Sequence, residues 1–470
     1  MESEKRTIHF VSLGCAKNRV DTEVMLGVAG LEGFEHVADP ANAEVIVVNT
    51  CGFIGPAKEE SVDTILEMGA LKDEGRCEQL VVAGCLSQRY PDQLASEMPE
   101  VDHFLGSSDM LKLGTVLRGE GQRMMVGHPA LYTMSAEDPR VLTQTGHHAY
   151  VKIAEGCNRS CSFCAIPSFR GKQRSRSVQD VVREVEALVS AGVVEVSLIS
   201  QDTIAYGRDL EGKPDLAELT EAIAEVEGLA WVRLHYLYPE KLTQRLSELM
   251  RDHPKVLPYV DMPLQHASTP MLKRMRRGHG GDRLRRVVDR MRAAVPDLVF
   301  RTSFIVGHPG ETDEDFTDLL DFVRWAEFDH VGVFLYSPEE DTRSGEMTDD
   351  FVDPKVAKRR HRELMRAQRP ISRDKLKARI ATEVEVVVDG VSDESDFLLE
   401  GRWWGQALGV DGKVYLANGD AQPGEIRKAL VTESADYDLV ADLLGPDGEW
   451  NAPPGSQKPR RRKVRLRTVS

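Results

Sequence analysis

The sequence predicts an α/β protein in three parts: an open parallel α/β domain over residues 7–120, a partial barrel of six parallel strands over 146–378, and a small all-β barrel over 380–444. Three observations predict it. In the first part apolar runs alternate with helical stretches and stop each time beside a glycine–cysteine pair. In the second, six apolar runs alternate with helical patterns. In the third, β-branched and aromatic residues fall in short runs separated by glycines.

Composition sets the outer limits. A chain of 470 residues, 41% of them hydrophobic, can bury several cores, and its net charge of -16 disfavours non-specific nucleic-acid binding and suits a basic partner. No apolar run approaches the length of a membrane span, and Met1 to Arg6 are mostly charged with no apolar segment behind them. A cytoplasmic protein with no membrane contact and no signal peptide is therefore expected, acting as a monomer. The seven cysteines form no paired framework, which fits a reducing compartment.

In the first part, Thr7 to Leu13 is a strand candidate ending at Gly14-Cys15, Glu44 to Thr50 ends at Cys51-Gly52, and Gln79 to Ala83 ends at Gly84-Cys85. Parallel strands share a carboxyl edge, where open α/β sheets place ligands, so Cys15, Cys51 and Cys85 are expected to meet there. The neighbouring glycines let the backbone turn sharply or approach a ligand. A lone cysteine at a strand end is ordinarily a small core hydrophobe, but three in register read as a metal-cluster site. Cys77 lies in the polar stretch Glu74 to Glu78, breaks this pattern and reads as a spare thiol. Val101 to His148 closes the domain and crosses to the next.

The second part opens with the strand candidate Ala149 to Ala154, which runs into a loop carrying Cys157, Cys161 and Cys164. A loop can turn all three thiolates inward, whereas a strand would send alternate ones to opposite faces. No fourth ligand stands nearby. That pattern fits an iron–sulfur cluster with one iron open to a small molecule, the alternative being a structural zinc loop. Ser177 then caps a helix whose Val178, Val181, Val182, Val185, Leu188 and Val189 hold one face until Gly192. Later strands are Val194 to Ser200, Trp231 to Leu237, Tyr259 to Leu264, Val299 to Gly307 and Val331 to Tyr336. Polar residues at or near their carboxyl ends, Gln201, Asp202, His235, Gln265, His266, Arg301 and Ser303, suit either ligand contact or a loop or barrel-filling role.

Pro354 to Arg379 is a basic helical stretch that reads as a solvated linker helix. Ala381 to Leu444 carries fourteen Asp and Glu against four Lys and Arg, and should repel a phosphate backbone and attract a basic protein through acidic positions such as Asp393, Glu394, Asp396 and Asp411. The tail, 445–470, is rich in proline and glycine, ends in a basic run from Lys458 to Arg467, and is expected to be disordered.

The cysteine spacing in Cys157-Asn158-Arg159-Ser160-Cys161-Ser162-Phe163-Cys164 resembles that of the radical S-adenosylmethionine (SAM) enzymes, and Thr302 to Thr312 looks like the late-strand segment lining their adenosyl site. The resemblance implies a partial TIM-like barrel, with SAM on the open iron and contacts from Phe163, Gln201, Ser303, Val306 and Gly307. The residues from 380 to 444 resemble a TRAM domain, and the whole layout from about His9 to Leu444 is similar to the methylthiotransferase family. The words Ser12 to Asn18, Asn49 to Ile54, Gly84 to Tyr90, Leu237 to Glu240 and Pro263 to Ser268 look like the branch that methylthiolates the β-carbon of an aspartate in protein twelve of the small ribosomal subunit. A sister branch acts on isopentenylated adenosine in transfer RNA. Departures are small: Ala16 stands where proline is common, and His308 where an aromatic residue is common.

That resemblance implies two 4Fe-4S clusters, one on Cys157, Cys161 and Cys164 and one on Cys15, Cys51 and Cys85. The first would cleave SAM to a 5′-deoxyadenosyl radical, with electrons from a donor such as flavodoxin or ferredoxin. The second would hold the sulfur to be transferred. An aspartate β-hydrogen is unactivated, so no side-chain base near neutrality removes it, and radical chemistry meets that need. An iron–sulfur electron carrier or sensor is the rival class, but such a protein needs no barrel cavity.

Overall fold

The computed structural model describes residues 5–239 and 242–445; the basic tail lies outside them. The first sheet is wholly parallel. Its strands are β1 (Thr7–Ser12), β2 (Glu35–His36), β3 (Val45–Thr50), β4 (Gln79–Gly84), β5 (His103–Leu105) and β6 (Met124–Met125), in the order β2-β1-β3-β4-β5-β6. Strands β1, β3 and β4 are the three apolar runs of the sequence, and they lie side by side. The added strands are only two or three residues long, too short to show a period of two. Val45, Ile46, Val47 and Val48 are all buried, because helices cover both faces of such a sheet.

The second sheet takes β7 (His148–Lys152) and, after the short antiparallel pair β8 (Ala154–Glu155) and β9 (Arg174–Ser175), β10 (Glu195–Ile199), β11 (Trp231–Leu234), β12 (Val256–Asp261), β13 (Val299–Val306) and β14 (His330–Leu335). All pairs within it are parallel, in the order β14-β13-β12-β11-β10-β7. It is an open six-stranded partial barrel. Alternation along each strand divides its two faces. Val151, Leu198, Leu234, Val260 and Phe304 face outward onto helices, and each such burial contributes about 1.5–3 kcal/mol. His148, Glu195, Arg233, Tyr259 and Arg301 fall on the other face. The helix Val178–Ser190 begins where Ser177 Oγ accepts from the Asp180 backbone N–H at 3.2 Å. No helix among the described residues is long and apolar enough to cross a membrane.

The third sheet is a closed antiparallel-rich barrel of β15 (Glu383–Ser392), β16 (Ser395–Trp403), β17 (Val414–Ala417), β18 (Ile426–Ser434) and β19 (Leu439–Leu443), in the order β15-β16-β17-β19-β18. Its core is continuous with Trp231, Leu257, Tyr259 and Val299 of the second sheet. Around that apolar contact runs a buried polar seam. Glu195 Oε1 accepts from Arg233 Nε at 2.9 Å and Oε2 from Arg402 Nη1 at 2.6 Å, while Arg402 also reaches Asp389 at 2.8 Å, which takes His147 at 2.8 Å. Asp411 belongs to this seam, which corrects the expectation of an exposed docking charge. It accepts from Tyr259 Oη at 2.7 Å and the Ala407 N–H at 2.9 Å, and it pairs with Arg301 at 3.3 Å.

Burial opposes the charge on Glu195, but Arg402 and Arg233 outweigh it and hold the carboxyl well below the usual range. A depressed carboxyl stabilises the fold above the unfolded value near 4.3 and loses that contribution as pH falls below it. Glu195→Gln should leave the buried Arg233 guanidinium without a carboxylate partner, while Arg402 keeps Asp389, and cost about 3–5 kcal/mol in denaturant unfolding at neutral pH. The difference from the parent protein should shrink in acid. An equal midpoint at neutral pH would show that the seam carries no such weight.

Candidate functional site

Both sets of strands end on one cavity of about 310 Å³, lined by Cys15, Cys51 and Cys85 on one side and Cys157, Cys161 and Cys164 on the other. The first three are nested through their glycines. A Cβ on Gly14 would lie 2.9 Å from Cys51 Cβ, and one on Gly52 would lie 2.8 Å from the Cys85 carbonyl carbon. Gly84, at φ +99°, would bring a Cβ within 2.3 Å of Asn49 Oδ1. Only glycine lets these turns approach so closely. The second three stand on a loop held from several sides: Cys157 N–H donates to Gly171 O at 3.0 Å, Ser162 N–H to Met275 O at 3.1 Å, and Ser344 N–H to Ser162 O at 2.8 Å. Cys77 is away from the cavity, buried under the first sheet, with its thiol 3.5 Å from Gln79 O.

The residues joining the two sides are charged and buried. Arg170 follows the second cysteine loop, on the helix Ile166–Arg170, yet its Nε and Nη2 donate to Cys85 Sγ at 3.2 and 3.1 Å. Its Nη2 also donates to Asn18 Oδ1 at 2.6 Å, and its Nη1 pairs with Asp21 at 2.9 Å and Glu155 at 3.4 Å. Lys152 Nζ bridges the same two carboxylates, at 2.5 Å from Asp21 and 2.8 Å from Glu155. Burial works against ionising Glu155, but Lys152 and Arg170 prevail and hold it charged, below the ordinary carboxylate range. Gln201 Nε2 donates to Glu155 Oε1 at 2.6 Å.

Other lining residues were not singled out from the sequence. Burial lowers Lys17 to about 8, and its Nζ stands 3.0 Å from the centre of the Tyr236 ring. Tyr238 is stacked between two guanidiniums, Arg159 at 3.6 Å and Arg277 at 4.1 Å. Arg277 Nη1 donates to Cys161 Sγ at 3.3 Å. Asn18 and Tyr238 belong to the cysteine-flanking and Tyr-Pro words already noted in the sequence, which was their available signal.

The expected cofactor contacts divide. Phe163 and Gln201 line the cavity, as do Asp202, paired with Arg159 at 2.6 Å, and Gln265. Ser303, Val306 and Gly307 do not. Val306 shares the outward face of β13 with Phe304 and packs in the helix-facing core; Ser303 meets the cavity wall through its carbonyl, which accepts the Gln265 N–H at 2.9 Å. Gly307 turns at φ +79° against Ala357, with its N–H on Glu311 Oε2 at 2.5 Å. His235 hydrogen-bonds Asp261 at 3.2 Å, Arg301 pairs with Asp261 at 2.9 Å, and His266 with Glu311 at 3.2 Å, all away from the thiols.

The donor chemistry fits iron–sulfur clusters. Each side offers thiols alone, and burial pushes Cys157 up to about 11 and Cys85 and Cys164 up to about 12, so loading must displace their protons. The six thiols surround a shared volume, which suits groups of several metal atoms. Gln201 Oε1 and Asp202 Oδ1 are buried on that volume without a hydrogen-bond partner among the described residues, which leaves acceptors for a bound molecule.

Comparison with known proteins agrees with this geometry. Residues 151–323 match the radical SAM superfamily, 7–106 the uncharacterized protein family UPF0004, and 380–444 the TRAM domain. The chain is 62% identical over 445 residues to the ribosomal protein uS12 methylthiotransferase RimO of Sorangium cellulosum, covering 93% of this chain and 91% of the relative. It is 48% identical to the protein of that name from Myxococcus xanthus, covering 93% and 92%. In fold it is similar to the radical SAM methyltransferase TsrM from Kitasatospora setae, solved with cobalamin and a [4Fe-4S] cluster, at a TM-score of 0.52, 16% identity and coverage of 73% and 77%. With its cysteine-lined cavity and full-length likeness to these relatives, the chain belongs to the RimO family of radical SAM methylthiotransferases, enzymes of SAM and two 4Fe-4S clusters.

Proposed function

We propose that this enzyme acts in the cytoplasm on ribosomal protein uS12, placing a methylthio group on the β-carbon of an aspartate. The observation that carries the reading is the single cavity bounded by two thiol triads. Cys157, Cys161 and Cys164 would hold the cluster that binds SAM, and Cys15, Cys51 and Cys85 the second cluster. When bound, the clusters and SAM supply one-electron SAM cleavage, hydrogen-atom abstraction and methylthio transfer. The protein's own part is placement and exclusion of water. Phe53, Phe163, Phe169 and Leu237 make the walls apolar, which keeps solvent from competing with the target carbon. Arg170 offers two N–H groups to Cys85 and so offsets thiolate charge in a buried site. Phe163, through its backbone, and Gln201 are the lining residues proposed to meet SAM.

Docking of the basic substrate is assigned to the terminal barrel, where Asp393, Glu394 and Asp396 are exposed on the β15–β16 hairpin beside the exposed Phe397. Acidic charge there attracts a ribosomal protein and repels transfer RNA.

Alanine at Cys157, Cys161 and Cys164 should abolish SAM cleavage and remove about half the iron, whereas alanine at Cys15, Cys51 and Cys85 should spare cleavage, remove the other half and abolish methylthio transfer. Cys77→Ala should do neither. Cleavage lost equally in both triple variants, with the fold intact by circular dichroism, would refute the assignment. For the substrate, purified uS12 and an isopentenylated transfer RNA are offered separately across a salt series and scored by mass spectrometry. Charge reversal at Asp393, Glu394 and Asp396 should slow uS12 capture by about tenfold at low salt and leave SAM cleavage unchanged. Modification of the transfer RNA alone would move the chain to the sister activity.

A further inference from the structure

The reaction proposed above needs one electron per SAM cleaved, and the chain must receive it from a partner. Across residues 273–292 stand nine Lys and Arg against two Asp, in a protein whose net charge is -16. Lys273, Arg276, Arg283, Arg286 and Arg290 are exposed, and no ion pair to another described residue joins them. The last three lie on the helix Gly281–Ala294 at spacings of three and four, so they share one face.

This surface is the outer side of the wall that supports the SAM-site cysteines. The turn that exposes Lys273 and Arg276 accepts the Ser162 N–H on Met275 O at 3.1 Å and the Ser162 hydroxyl on Arg274 O at 2.9 Å. The next residue, Arg277, donates to Cys161 Sγ at 3.3 Å. Burial, with Arg277, Arg283 and Arg159 nearby, pushes His279 down to about 3, so this imidazole adds no further charge near neutrality. The basic helix Pro354–Lys377 offers a comparable stripe through Lys358, Arg362, Arg366 and Lys377, but its side chains make no such contact with the cysteine loop.

We infer that the surface of Lys273, Arg276, Arg283 and Arg286 docks a small acidic electron-transfer protein. Rims of opposite charge raise the rate of encounter between such partners. The donor's reduced centre is oxidised by one electron, and the cluster held by Cys157, Cys161 and Cys164 is reduced by that electron, with no other co-reactant. The inference rests on the radical SAM reading but not on the identity of the methylthiolated substrate, because SAM cleavage alone reports it.

The test uses the holoenzyme and reduced flavodoxin as probe, with dithionite as the small-molecule reductant. The variant Lys273→Glu/Arg276→Glu/Arg286→Glu is compared with Arg362→Glu/Arg366→Glu/Lys377→Glu, which carries the same charge change elsewhere. Flavodoxin-driven 5′-deoxyadenosine formation should fall about tenfold or more in the first variant at low ionic strength and stay near the parent rate in the second. Dithionite-driven formation should be unchanged in both. Carbodiimide cross-linking should join flavodoxin carboxylates to Lys273 in the parent protein, which gives a readout independent of turnover. Equal loss in the two variants, no loss in the first, or cross-links confined to the 354–377 helix would overturn the inference. So would loss of ribosomal RNA binding as the first variant's sole defect. If the first variant does not fold, the salt response of the parent enzyme decides: flavodoxin-driven rates must fall steeply with added salt, and a flat response refutes the surface. Failure of the parent with dithionite would count against the radical SAM reading itself.

Discussion

Two carboxylates and two cations, Asp21, Glu155, Lys152 and Arg170, are sealed between the helix Ala16–Leu31 that follows β1 and the barrel, and the cavity depends on them. Each charge would be costly alone in so dry a place, and each is matched. The set is cross-connected rather than paired: Arg170 and Lys152 each touch both carboxylates. Its members come from opposite sides of the cavity, so the network can form only when the two strand edges face each other. Arg170 then extends the link to Cys85, which ties one cysteine triad to the chain segment that begins at the other. This is how two independent parallel sheets come to share one site.

The terminal barrel is fixed by a different arrangement of the same kind. Glu195 stands between Arg233 and Arg402, and Asp411 between Tyr259 and Arg301. These groups close the barrel at the end remote from the thiols. Ligand chemistry therefore stays at the carboxyl ends of the strands, and the acidic hairpin of the terminal barrel remains outside, free to meet a macromolecule.

Much of this was legible because the relevant residues are local. The Gly-Cys pairs sit at the ends of apolar runs, the three-cysteine loop follows a strand, and parallel order makes their meeting a consequence of topology. What escaped was non-local or a matter of phase. Arg170 and Lys152 find Asp21 across more than a hundred positions, and no periodicity announces such a pair. Strand alternation turns Val306 outward with Phe304, so its side chain does not line the cavity, a phase that the motif alone does not reveal. Composition cannot separate an exposed carboxylate from one folded into a seam, so Asp411 reads with the surface charges although it is buried. Strands as short as Glu35–His36 and Met124–Met125 had no pattern to read.

The central claim is that one cavity holds two iron–sulfur clusters on six thiols. Metal and acid-labile sulfide analysis of the anaerobically reconstituted protein, with Mössbauer spectra of the same sample, tests it most directly. The account predicts about eight iron and eight sulfide per chain, in two 4Fe-4S sites. Stoichiometric zinc with little iron, or a single cluster that survives loss of Cys157, Cys161 and Cys164, would contradict it.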